Sequence, residues 1–262
     1  MTVKLINEIK EIFQYMDMIR NLVKRDLRGR YKGSLLGVLW NFVNPLCQIL
    51  VYIMVFSVIF PSNLENYYVY LVSGMIPWFF FSESLAQGAG CIVYQADMTK
   101  KIYFPREVLP ITTVSSRFIN MLLSFIVVFL VVLLSGVGIG ASVIWLPLVM
   151  IVEYIMTLGL TLMASAVTVY FRDIEHIIGV ILMAWIWITP IMYSADTVPE
   201  QFRGVLYLNP MTSIIEAYHA ILYYKTAPVL NDLLLSGGIA VCLLIVGMLV
   251  FIRLERRFAE EL

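Results

Sequence analysis

The chain has 262 residues, of which 61% are hydrophobic and only 14% charged, and its formal net charge is zero. A water-soluble domain carries nearer one quarter charged residues, so this composition sets aside a soluble enzyme or a nucleic-acid-binding module. Several apolar runs of spanning length point instead to an all-α, polytopic membrane protein.

Taken in order, the first residues, MTVKLINEIKEIF, mix acids with bases and lack a compact apolar core before a cleavage site. They do not read as a secretory signal, and the chain is expected to be used whole. Ile12, Met16, Ile19, Val23 and Leu27 then recur at helical spacing, with Arg20, Lys24 and Arg28 off that line. Residues 1–34 are therefore expected to form a cytoplasmic segment with an amphipathic helix lying flat at the interface. The simpler alternative is a basic flank to the first span. Gly29, Gly33 and Gly37, at steps of four, allow a bend into that span or a close helix contact.

Six spans are expected, over Leu35–Phe60, Tyr67–Tyr94, Val108–Leu134, Ile144–Tyr170, Ile177–Tyr193 and Leu233–Ile252. An apolar core of about 30 Å takes about 20 helical residues. The runs are continuous rather than alternating, which favours helices over barrel strands. The connections near Pro61–Asn66 and Ser135–Ser142 are short and carry no base. The connection Ser194–Asp232 differs: its middle, GVLYLNPMTSIIEAYHAILYY, is apolar and aromatic but broken at Asn209-Pro210. It reads as a re-entrant hairpin in the outer leaflet, tolerated where it is buried in protein or lines a cavity.

Charge placement fixes the expected orientation. Sixteen of the 18 Lys and Arg residues fall on one side of these spans, leaving only Arg203 and Lys225 on the other. The excess assigns both termini to the cytoplasm, and with them the segment MTKKIYFPREVLPITT between the second and third spans.

Polar residues inside spans are costly and call for a reason. Asn41, Asn44, Gln48 and Tyr52 share a face of the first span; Arg117, Asn120 and Ser124 share one in the third. Glu153, Thr157, Thr161 and Ser165 recur every four residues in the fourth, and Trp185, Thr189 and Tyr193 do so in the fifth. These stripes can line a polar pathway or bond helix to helix. Glu83 and Glu153 are the acids most clearly inside spans, each neutral or paired with a base. Tyr67, Tyr68 and Tyr70 suit an interfacial belt; Trp78, Trp185 and Trp187 lie deeper, and aromatic faces with a polar tip suit a substrate part apolar and part hydroxylated.

Several reactive arrangements are missing from the sequence. Cys47, Cys91 and Cys242 all fall in apolar stretches, so no disulfide framework or metal spacing is visible. Glu216 and His219 form one Glu-x-x-His pair, but a di-metal bundle needs two and further glutamates. No Gly-x-Ser-x-Gly elbow and no phosphate-binding G-x-x-x-x-G-K-[ST] occurs. No catalytic, metal or cofactor site is expected on this chain; if nucleotide drives it, another chain binds the nucleotide.

Six segments occur in an order and spacing that carry a family resemblance: LVKRDLRGRYKGSLLGVLWNFVNPL at 22–46, LVSGMIPWFFF at 71–81, KKIYFPREVLP at 100–110, VYFRDIEHIIG at 169–179, ITPIMYS at 188–194 and LNPMTSIIEAYHAIL at 208–222. Together they resemble the permease subunit of ABC type-2 polysaccharide exporters, which move O-antigens, teichoic acids and rhamnose polymers. The resemblance implies a homodimer of this chain, two copies of a separate ATPase carrying MgATP, and a polymer passing between the permeases of the bacterial inner membrane. It implies that residues 35–262 form the transmembrane domain, with a coupling segment at 97–109, an outer gate hairpin at 199–224 and a cytoplasmic tail at 253–262. Lys100, Lys101, Tyr103, Phe104, Pro105 and Arg106 are the expected contacts to the ATPase, with Arg172, Asp173 and Glu175 as a second, smaller one. Asn41, Asn44, Gln48, Tyr52, Trp78, Phe79, Trp185, Thr189 and Tyr193 are the expected substrate pathway. Arg25, Arg28, Arg30 and Lys32 are candidates to bind the diphosphate of an undecaprenyl-diphosphate-linked glycan. Other readings are an ABC type-2 permease for a small molecule, a secondary transporter, which calls for an internal repeat, and a membrane-embedded transferase, which calls for clustered His, Asp or Glu at one face. Neither of these last two signals is visible.

Overall fold

The computed structural model describes residues 11–29, 40–56, 64–101 and 103–261. Among them every regular element is a helix, and no strand is present. An N-terminal helix α1 (Met16–Gly29) precedes α2 (Trp40–Met54), α3 (Tyr67–Tyr94), the short α4 (Ala96–Lys101), α5 (Val108–Leu134), α6 (Leu146–Tyr170) and α7 (Asp173–Ile188). Two shorter helices, α8 (Glu200–Leu208) and α9 (Pro210–Leu222), lead to α10 (Leu230–Leu254) and a terminal turn α11 (Phe258–Glu261).

Among the described residues, four helical stretches are long and apolar enough to cross a membrane: Tyr67–Tyr94, Val108–Leu134, Ala141–Tyr170 and Leu230–Arg257. The expected second and third spans keep their boundaries. The fourth gains a 3-10 turn over Ala141–Trp145 before the α-helix starts at Leu146, with Pro147 in its first turn, where proline has no helical amide to lose. The expected fifth span is displaced. Its helix starts at Asp173, has 16 residues, and stops at Ile188. The stop is physical: Pro190 pushes Thr189 out of the α region, and Thr189 is extended at φ −94°, ψ 132°. At 1.5 Å per residue, α7 is about 24 Å long, shorter by itself than an apolar core of about 30 Å, and the broken segment that begins at Thr189 continues from its end. Within the expected first span, α2 accounts for 15 described residues; residues 35–39 and 57–60 of that span, with the N-terminal residues 1–10, lie outside the described residues.

Helix α3 is the centre of the bundle. Twenty of its 28 residues are buried, and α2, α5, α6, α7 and α9 all pack on it. It begins after Asn66, whose left-handed φ of 50° is one that asparagine tolerates, and continues through Pro77. Surrounding helices can compensate for the amide a proline lacks in such a setting.

The tightest helix pairing is α6 with α10. Gly159 and Gly247 face each other with their backbones in contact, so that a side-chain carbon on Gly247 would run into the Gly159 carbonyl. Small residues permit this approach where apolar solvent gives little other reason for helices to associate. A second, separate apolar cluster closes one end of the bundle. There Ile19, Leu22 and Val23 of α1 pack with Phe104, Val108, Leu109, Phe251 and Phe258. The apolar line of the N-terminal helix is thus spent on its own chain, chiefly against α5. This is the end that carries α1, α4 and the C-terminal turn, and it is called the basic end below.

The glycine pairing gives opposite expectations for two substitutions in one helix. Gly247→Ala should destabilise by about 1–3 kcal/mol, since the backbones must separate. Gly238→Ala, in α10 with open space around it, should hold or raise stability, because alanine is the better helix former by about 1 kcal/mol. Thermal unfolding of the detergent-solubilised chain reads both; equal shifts would contradict the packing described.

Candidate functional site

Two polar assemblies stand out, one at each end of the bundle. At the basic end, α4 carries Lys100 and Lys101 on its exposed side, and Tyr103 to Pro105 carry no regular structure before the turn into α5. Pro110 lies in the first turn of α5, where a missing amide costs nothing. Tyr103 is 84% exposed, whereas Phe104 is 5% exposed and buried in the apolar cluster. Of the two aromatic residues expected as docking anchors, one therefore faces outward and the other anchors the segment to its own chain.

Arg106 joins this segment to the C-terminal tail. Its Nη1 donates to the Glu255 carbonyl at 2.9 Å, and its guanidinium lies 5.6 Å from the centre of the Phe258 ring, a cation–π geometry. Tyr170 at the end of α6 donates to the Leu254 carbonyl at 2.8 Å. A cleft of about 470 Å³ opens between the segment 99–106 and the tail, lined among others by Lys100, Lys101, Tyr103, Glu255 and Arg256. Arg172 and Asp173 are exposed at the start of α7. Glu175 accepts a hydrogen bond from Tyr94, with the hydroxyl 2.7 Å from each carboxylate oxygen, which joins the second expected contact region to the end of α3. On α1, Arg25 and Arg28 lie at the surface, and Arg25 Nη2 donates to Gln95 at 3.0 Å. Arg30 and Lys32 lie outside the described residues.

At the opposite end, Asn209 separates α8 from α9 and is bonded on three sides. Its Oδ1 accepts from Trp185 Nε1 at 2.9 Å and from the Met211 amide at 3.0 Å, capping α9. Its Nδ2 donates to Thr189 Oγ1 at 2.9 Å. The Asn-Pro break seen in the sequence is thus the point where the two short helices are fixed to the end of α7. Trp185 also sets its ring edge-on to Phe81, 5.2 Å between centres.

The broken segment after α7 is held from α3. Tyr67 donates to the Met192 carbonyl at 2.8 Å, and Tyr70 to the Tyr193 carbonyl at 3.0 Å. Both tyrosines are buried, so the interfacial belt expected of them gives way to an internal bonding role. Tyr70 stacks on His219 at 3.7 Å between ring centres, and Tyr218 donates to Glu153 at 2.6 Å. Glu216 accepts from Tyr207 at 3.3 Å, so the Glu-x-x-His pair is divided between different neighbours.

The expected pathway residues fall into separate environments. Trp185 and Thr189 meet at Asn209; Tyr193 bonds the Trp187 carbonyl at 3.2 Å. Trp78 is buried against Phe81, while Phe79 is only partly buried. Gln48 is exposed and Tyr52 partly buried on α2; the side chains of Asn41 and Asn44 lie outside the described residues. The Thr/Ser stripe of α6 is buried, and Thr157 and Ser165 bond carbonyls of their own helix. Sequence reasoning missed the links from Tyr67 and Tyr70, from Tyr218 to Glu153, and from Arg106 to the tail. Each joins residues between 65 and 149 positions apart, beyond any single-helix period.

Comparison with known proteins adds a consistent set of relatives. Residues 18–223 match the family described as ABC-2 type transporter. The O-antigen export system permease protein RfbA of Myxococcus xanthus is 33% identical over 260 residues, covering 98% of this chain and 100% of that protein. The protein of the same name from Klebsiella pneumoniae is 30% identical over the full length of both. The polysialic acid transport protein KpsM of Escherichia coli is 24% identical over 76% of this chain and 78% of its own.

A double-mutant cycle tests the Asn209 junction. Trp185→Phe and Asn209→Ala should each destabilise the chain, with a coupling of about 0.5–1.5 kcal/mol between them, the usual net worth of a hydrogen bond. Additive effects in thermal unfolding would show that the two side chains do not hold each other.

Proposed function

The chain belongs to the ABC-2 type transporter family, and on that premise we propose that it is the membrane-spanning subunit of an ATP-driven polysaccharide exporter. Its cargo is a lipid-linked polymer of the O-antigen or teichoic-acid kind, carried on undecaprenyl diphosphate from the cytoplasm across the bacterial inner membrane. The observation that carries this reading is the end-to-end likeness to O-antigen export permeases.

The working unit is a homodimer of this chain with two copies of a separate ATPase, and MgATP binds only to the latter. Six crossings, with residues 1–34 ahead of a transmembrane domain at 35–262, put both termini in the cytoplasm, as the distribution of Lys and Arg supports. The basic end then faces the ATPase. Lys100, Lys101, Tyr103 and Arg106 are in place to meet it beside the tail, with Arg172, Asp173 and Glu175 as the second contact. Phe104 and Pro105 hold the segment to the bundle behind them. On the other side, the α8–α9 pair dips into the outer leaflet as the gate, and Trp185, Thr189 and Asn209 fix its turn. Arg25, Arg28, Arg30 and Lys32 receive the carrier diphosphate at the cytoplasmic surface.

Depleting the chain in its native cell and weighing extracted lipid-linked glycans by mass spectrometry tests the cargo. A polymer on a polyprenyl diphosphate should accumulate; unchanged precursors and unchanged surface glycan would refute the assignment. The coupling surface has its own test. Tyr103→Ala should leave thermal stability unaltered and reduce co-purification of the ATPase, whereas Phe104→Ala should cost about 3–5 kcal/mol of stability as a cavity opens in the cluster. Full retention of the ATPase by Tyr103→Ala would remove that residue from the interface.

A further inference from the structure

The side of α3 left open by its neighbours carries a charged pair at mid-depth. Glu83 lies 16 residues after Tyr67 and 11 before Tyr94, about 24 Å and 16 Å from the two ends of the helix. Arg117 of α5 donates from Nη1 to Glu83 Oε2 at 2.6 Å and from Nη2 to Gln87 Oε1. The Arg117 side chain is 7% exposed and that of Glu83 45%. One buried guanidinium therefore holds two acceptors that face out of the fold.

A half-exposed carboxylate at that depth cannot rest against acyl chains without large cost; ionisable groups within spans face the protein interior or water. The lipid-facing surface is recognisable elsewhere, where α5 exposes Leu122, Ile126, Leu130 and Leu133 without a polar group among them. The α3 strip has another character. Phe79, Ser82, Glu83, Ala86 and Gln87 are the open or partly open positions of its middle, and Tyr94 with its bond to Glu175 lies at its basic end.

We propose that this strip lines the water-filled conduit and binds the hydroxyl groups of the passing glycan, with Glu83 as the acceptor and Arg117 as the residue that positions it. The proposal rests on the polysaccharide reading above and names a site for it. Sugars offer hydroxyl donors around apolar ring faces. Glu83 presents a fixed carboxylate with only Oε2 taken by Arg117 among the described residues, and Phe79 lies one turn away with an apolar face. The guanidinium cancels the carboxylate charge, so the strip favours neutral hydroxyls over a polyanion.

The test uses the full chain with its ATPase in native membranes, with the exposed Cys47 and Cys242 changed to serine and the buried Cys91 kept. Single cysteines then replace Ala86, Gln87 or Ile126, the last 61% exposed on the apolar face. A charged, water-soluble methanethiosulfonate should modify Ala86→Cys and Gln87→Cys at least tenfold faster than Ile126→Cys. If all three are equally inert, the strip is sealed by lipid or by a second copy, and the proposal fails. At matched chain levels, Glu83→Gln should slow the appearance of surface glycan at least fivefold, with partial recovery in Glu83→Asp. The double variant Glu83→Gln/Arg117→Gln should regain thermal stability without regaining export. If export returns with stability, the pair is structural only and the binding role is overturned. Reactive strip cysteines in a chain whose depletion leaves lipid-linked glycans unchanged would refute the glycan as ligand and leave the aqueous strip standing.

Discussion

Breaking a helix inside an apolar layer frees carbonyl groups that no water can satisfy, and the arrangement of this chain follows from supplying partners for them. Pro190 ends α7 early, and the carbonyls of Met192 and Tyr193 are taken up by Tyr67 and Tyr70 from the first turn of α3. An unsatisfied group in hydrocarbon costs several kcal/mol, which explains why these two tyrosines are buried rather than spread at a membrane surface. Side-chain contacts complete that end. Asn209 meets Trp185 and Thr189, Tyr218 meets Glu153, and His219 fills the space that Gly74 leaves beside Tyr70. Helix α3 becomes central because it both donates to the broken segment and gives α5 and α6 a surface to pack on.

The sequence makes the long helices legible and the breaks less so. Continuous apolar runs, one opening after Asn66 and one after Pro105, mark α3 and α5 at close to their observed bounds. The fifth run is equally apolar, yet its helix ends at Ile188, since one proline outweighs the hydropathy of the residues beyond it. The line Ile12–Leu27 announces an amphipathic helix but not what covers it; hydrophobicity alone does not tell bilayer from protein, and Phe104 and Val108 belong to the cluster that receives it. Glu83 and Arg117 are each conspicuous as charges within apolar runs. Their pairing joins residues 34 positions apart on two helices, where periodicity within one helix carries no information.

Under the proposed function, movement driven by ATP would enter the membrane part at the basic end. Phe104, Val108 and Leu109 share a cluster with α1, the end of α10 and Phe258, and Arg106 adds its bond to the tail. A displacement applied at the exposed Tyr103 would therefore move a packed body, not a loose loop. That body continues directly into α5, a helix of 27 residues, about 40 Å long, which holds Arg117 on its way. The basic end and the strip at Glu83 are joined by one continuous helix.

The central claim is that this chain, driven by its ATPase, carries a polyprenyl-linked glycan across a bilayer. Reconstitution of the two proteins in liposomes loaded with that lipid measures it directly, with a membrane-impermeant glycosidase on the far side to report arrival. Cleavage that requires ATP and is abolished when this chain is omitted is the predicted result. Cleavage at the same rate without ATP, or none with both proteins present and hydrolysing ATP, would contradict the account.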